Sequence, residues 1–91
     1  MNNDPLEQVA ALIHENRLEE AEGLLSANVA ESEPEYWYLK GLMKQKKQSW
    51  GEAMNHFHRC LDLDPGHSKA AAGREICNNI LNFWNPSLFN P

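Results

Sequence analysis

One eight-residue pattern occurs twice in the chain, offset by 32 residues. Leu18-Glu19-Glu20-Ala21-x-x-x-Leu25 and Trp50-Gly51-Glu52-Ala53-x-x-x-Phe57 both read large-x-x-Ala-x-x-x-large. Residues three, four and seven apart share one face of a helix. On that face the alanine lets a second helix approach closely, and the following large residue fills the space between the two. A unit of this length cannot bury its apolar face alone, so it folds by stacking on its neighbours. That requirement narrows the chain to arrays of paired helices.

Breakers and caps divide the sequence into five helical segments. The first opens at Asp4, with Pro5 at the first helical position and Glu7 three residues after the cap. Leu6, Val9, Ala10 and Ile13 then recur at helical spacing. Glu15-Asn16-Arg17 reads as a turn. The second helix carries Leu18, Ala21, Leu24, Leu25 and Val29. Ser32-Glu33-Pro34-Glu35 gives another start signal, with Ser32 as the expected cap. The third helix, with Trp37, Tyr38, Leu39, Leu42 and Met43, is expected to end near Lys46 or Lys47. Ser49 to Glu52 is a further capping box, opening a fourth helix that Pro65-Gly66 terminates. Ser68 is the expected cap of a fifth helix running to Pro86. No segment alternates with period two, so no strand is expected.

Residues 34–67 resemble a tetratricopeptide repeat. Trp37, Gly41, Ala53, Phe57 and Pro65 stand at that family's spacing, whose period is about 34 residues. Tyr38-Leu39-Lys40-Gly41-Leu42 and Leu61-Asp62-Leu63-Asp64-Pro65 are also typical of it. Three positions depart from the pattern. Lys40 and Lys44 stand where an apolar and an aromatic residue are common, and Gln48 stands where a turn glycine is common. Residues 4–33 resemble a degenerate repeat that keeps Leu18, Ala21 and Leu25 but has Val9 in place of the small glycine. Residues 68–84 resemble the terminal capping helix of such arrays, followed by an aromatic Asn-Pro tail at 85–91. The resemblance implies an all-α fold in a single domain over residues 1–91. It would hold two antiparallel helix pairs and a C-terminal capping helix, in right-handed superhelical stacking.

The family uses the first helix of each repeat to line a concave groove. By resemblance that groove takes Glu35, Tyr38, Leu42, Gln45 and Lys46 from the second unit, and Leu6, Ala10 and Ile13 from the first. A tyrosine beside apolar and cationic groups can dock an extended peptide or a helix. The same Tyr38 and Leu42 could instead pack against the first unit or the fifth helix. Some family members hold a partner's terminal carboxylates with basic groove residues. Leu6 and Ala10 at the corresponding positions here cannot do so. Lys40, Lys44 and Lys47 form a stripe that fits an acidic partner or a solvated face.

Phe83, Trp84, Leu88 and Phe89 place four large apolar residues within 83–91. Soluble proteins seldom leave such a cluster exposed. It is expected to fold back over the core or the groove, or to dock on a second copy. Two repeats also fall short of the three or so that such arrays usually need; tail docking or a homodimer would make up the deficit, and a homodimer is the expectation.

Other functions are set aside on composition and spacing. The net charge is −5, and residues 1–35 hold nine acidic side chains and one basic one. Phosphate binding wants the opposite sign, so nucleic acid is not an expected partner. No apolar run approaches the roughly 20 residues of a membrane span, and no secretion signal opens the chain. Cys60 and Cys77 form no CxxC pair, which fits reduced thiols in the cytoplasm. His56 and Cys60 share a helix face but lack the further ligands that zinc requires, so no metal or other cofactor is expected. There is no phosphate loop and no nucleophile with a base and an orienting third group. The expected function is non-catalytic: an adaptor, scaffold or small chaperone that binds a protein or peptide in its groove. The alternative is a self-associating structural protein whose groove is filled by its own C-terminal helix and tail.

Overall fold

The computed structural model describes residues 4–84 and, among them, five α-helices and no strand. The helices are α1 (Pro5–His14), α2 (Leu18–Asn28), α3 (Pro34–Lys46), α4 (Trp50–Leu63) and α5 (Ser68–Trp84).

Local chemistry explains most of their ends. Asp4 Oδ1 accepts the Leu6 N–H at 3.0 Å and caps α1, with Pro5 in the first turn where no N–H is needed. Asn16 and Gln48 close the two tight turns with φ of 64° and 60°. These left-handed residues stand 32 positions apart, so the α1–α2 and α3–α4 turns share their conformation. The Trp37 indole N–H donates to the Glu31 carbonyl at 2.7 Å and ties the α2–α3 connection to α3.

Of the three expected serine caps, Ser49 stands at its position without a side-chain bond, and Ser32 and Ser68 are corrected. Ser32 lies inside a turn closed by the Glu33 N–H on the Ala30 carbonyl, one residue too early, and Glu33 is the residue that precedes α3. Ser49 occupies the cap position of α4, but its side chain makes no capping hydrogen bond. At α5 the cap is His67, not Ser68: its Nδ1 accepts the Ala70 N–H at 3.1 Å.

Consecutive helices pack in pairs. α1 lies on α2, α3 on α4, and α4 on α5, while α1 and α5 also touch α3. Two buried clusters result. One joins Val9, Ile13, Ala21, Leu25, Tyr36, Leu39 and Met43; the other joins Ala53, Phe57, Cys60, Ala70 and Cys77. Trp37, Tyr38 and Leu42 are partly buried against both, so α3 is the element that links them.

Phe57 is the largest fully buried side chain. Its ring stands between Gly41 of α3 and Gly73 of α5. A Cβ at Gly41 would lie 2.7 Å from Phe57 Cδ1, and one at Gly73 would lie 2.7 Å from Cε2. Both glycines are therefore required by close approach: any side chain there meets the ring.

Candidate functional site

A cleft of about 430 Å³ opens between α1, α3 and α5, with the start of α4 at its end. Its walls are Ala10, Ile13 and His14 from α1, and Leu42, Gln45 and Lys46 from α3. Trp50 and Ile76 close it. These α1 and α3 residues occupy equivalent positions: Ala10 and Leu42, Ile13 and Gln45, and His14 and Lys46 are each 32 residues apart. The 3.6-residue period turns positions three and four apart toward the same side. Each helix thus presents the same face to the cleft.

The floor is apolar and the rim is polar. Ile13 is buried beneath the surface at 3% exposure, whereas Ile76 is 52% exposed. An Ile left half in water has unburied apolar area, and covering it would be favourable at about 25 cal/mol per Å². Gln45 crosses from α3 toward α5, with its amide 3.7 Å from Cys77 Sγ.

Five of the eight groove residues expected from the sequence meet here: Ala10, Ile13, Leu42, Gln45 and Lys46. The other three stand elsewhere. Leu6 lies at the opposite end of α1, beside Asn28 and Val29 of the α2 terminus. Glu35 pairs with His67 Nε2 on the α4–α5 turn. Tyr38 is half-buried, its ring 5.0 Å from that of His67 and 6.1 Å from that of Phe57. His14, Trp50 and Ile76 complete the cleft without having been expected there. The 32-residue offset from Lys46 is the signal that could have found His14.

Phe83, near the end of α5, is 78% exposed. The Trp84 side chain, Leu88 and Phe89, expected to serve self-association or tail docking, lie outside the described residues.

The remaining polar clusters have structural partners. Lys40 Nζ lies 3.6 Å from Glu22 and 5.6 Å from the Tyr36 ring centre, and Lys44 Nζ lies 3.2 Å from Glu52. These two departures from the family pattern therefore each carry an ion pair to an adjoining helix. Arg59 sits 5.1 Å over the Trp37 ring, which also has the Tyr36 ring at 5.0 Å and the His56 ring at 5.6 Å. Burial lowers the pKa of His56, and Lys40 and Lys44 lower it further.

Both ring nitrogens of His67 are engaged. Nδ1 accepts from Ala70, which leaves Nε2 as the donor to Glu35. Neither nitrogen is open to take a proton from a substrate. Cys60 and Cys77 are free and fully buried. Burial pushes the Cys60 thiol up to about 11, with Glu35 and Asp64 adding to the shift, and burial also raises Cys77. A protonated, buried thiol is a poor nucleophile. Among the described residues no group of three or more His, Cys, Asp or Glu side chains is placed to hold a metal ion. Nor, among these residues, is any helix long and apolar enough to cross a membrane.

No protein-family model matches the sequence, and no curated protein or solved structure shows significant similarity to it.

Proposed function

We propose that this chain is a tetratricopeptide-type interaction module that takes an apolar segment of another protein in the cleft between α1, α3 and α5. In this reading residues 4–33 and 34–67 are two repeats and α5 is the capping helix, in right-handed superhelical stacking. The module is non-catalytic and acts as an adaptor, scaffold or small chaperone; the two free thiols fit a cytoplasmic setting. The observation that carries it is the half-exposed Ile76 beside a concave, apolar floor of Ala10, Ile13 and Leu42. Such a floor with a few polar rim groups is the usual form of a peptide groove. The equivalence of His14 with Lys46 and of Ala10 with Leu42 supports the repeat assignment.

A second reading is a self-associating protein whose groove is filled by its own C-terminal helix and tail. The observation favouring it is that Ile76 of α5 already forms one wall of the cleft. Selection from a peptide library distinguishes the two. Peptides enriched on the wild-type chain should lose binding to Ala10→Arg and to Ile76→Arg, since both side chains are solvent-exposed and each arginine would fill the cleft. Circular dichroism should show both variants folded. Enrichment of nothing, or of peptides indifferent to both substitutions, removes the first reading.

A further inference from the structure

The cleft lining carries basic side chains, Lys46 and His14, and no acidic one. The protein as a whole has thirteen Asp and Glu against eight Lys and Arg. Neighbouring lysines of α3 are matched: Lys40 by Glu22 and Lys44 by Glu52. Lys46 has no acidic partner among the described residues, and it is exposed. Glu15, the nearest acid in sequence to His14, is held by Arg17 at 3.4 Å.

From this complementarity we propose that the cleft selects an amphipathic segment whose apolar anchors are flanked by aspartate or glutamate. The proposal rests on the reading of the cleft as a peptide site. The apolar anchors cover Ala10, Leu42 and Ile76. The flanking carboxylate meets the Lys46 ammonium, with the His14 imidazole as a second donor on the facing helix. A partner flanked by Lys or Arg brings like charge onto Lys46 and is disfavoured.

The test uses the full chain and one short amphipathic peptide with leucines at i, i+4 and i+7. It is made in three versions, with Glu, Gln or Lys beside the leucines. Titration followed by polarisation of a labelled peptide should rank Glu above Gln above Lys. The ends should differ by roughly five- to tenfold, the size of one solvent-exposed pair gained against one repulsion. Lys46→Glu should invert that order while lowering the melting temperature by only a few degrees, the cost of an acid at the C-terminal end of α3. Equal affinities, or an order unmoved by Lys46→Glu, overturn the acidic preference and leave the peptide site standing. Failure of all three versions to bind overturns both. Cleft resonances of Ala10 and Trp50 that shift on dilution name a second copy as the occupant. If they shift on Leu88→Ser, the occupant is the segment 85–91. Either result overturns the proposal.

Discussion

Gly41 lies flat against the Phe57 ring, so close that a Cβ would be 2.7 Å from Cδ1 and nearer still to Cε1. The ring cannot retreat, because Gly73 stands on its far side at a similar spacing. Gly41→Ala therefore overpacks a fully buried site. Overpacking costs about 1–3 kcal/mol, which exceeds the gain of up to ~1 kcal/mol from replacing a helical glycine. Urea unfolding should show a net loss of stability for Gly41→Ala. Adding Phe57→Leu should restore part of it, making the pair non-additive. Simple addition of the two losses would show that the ring and the glycine do not share a constraint.

Gln48 holds φ at 60° without the freedom of glycine. A left-handed non-glycine residue costs roughly 1–2 kcal/mol, and less for Asn, whose short side chain tolerates the region. Gln48→Gly is expected to raise stability by about 0.5–1 kcal/mol after the extra chain entropy of glycine is subtracted. Asn16→Gly, at the equivalent turn, should change it by only ~0.3 kcal/mol. Thermal melts of the two variants check the contrast. Equal shifts would mean that the two turns do not differ in strain.

The helix boundaries were legible because their causes are local. Pro5, Pro34 and the turns at Asn16 and Gln48 act within a few residues of where they sit. Gly41 and Phe57 each stand among the anchors of the resemblance, but their contact is a product of how α3 packs on α4 and is not written in the spacing. Gly73 was not legible, because α5 lacks the large-x-x-Ala signature. Its signal is the same 32-residue offset carried one unit further, from Gly41 to Gly73 and from Gln45 to Cys77. Glu35 shows why part of the site was misjudged. Its helix face suits a groove, but the α4–α5 turn returns His67 to it across the fold. The cap at Ala70 is hidden for a related reason: histidine is an uncommon capping residue, and a serine, a common one, stands beside it.

His67 joins two helices across the α4–α5 turn: it caps α5 at Ala70, and it meets α3 at Glu35 and Tyr38. His67→Ala should cost about 1–2 kcal/mol through the lost cap and the lost partner. The loss has a location. Hydrogen exchange should speed up at the Ala70 and Ala71 amides before it does in α3. Glu35→Gln keeps the cap acceptor, so it should leave Ala70 protection near the wild-type value while lowering stability less. If Ala70 exchanges equally fast in both variants, the histidine does not act as the cap.

Burial shifts groups at both ends of the pH range: it raises Cys60, Cys77 and Tyr38 on the alkaline side and lowers the half-buried His56 on the acid side. Burial raises the Cys60 thiol from its ordinary value to about 11, so above pH 9 the unfolded chain loses a proton that the folded chain keeps. The native state then binds more protons, and unfolding free energy falls as pH rises from about 9 to 11. His56 has the opposite sign: burial, then Lys40 and Lys44, depress its folded pKa. Below the ordinary histidine range the unfolded chain takes up a proton that the native chain resists, so stability falls again as pH drops. Guanidinium unfolding should therefore give a maximum between these limits. Cys60→Ala should make the alkaline limb shallower, Cys77 and Tyr38 keeping the rest of it, and leave the acid limb in place; His56→Phe should do the reverse. At pH 8 iodoacetamide should modify Cys60 only as fast as the chain opens. Direct labelling of the native protein, or an alkaline limb unchanged in Cys60→Ala, would show that this thiol is not one of the titrating groups.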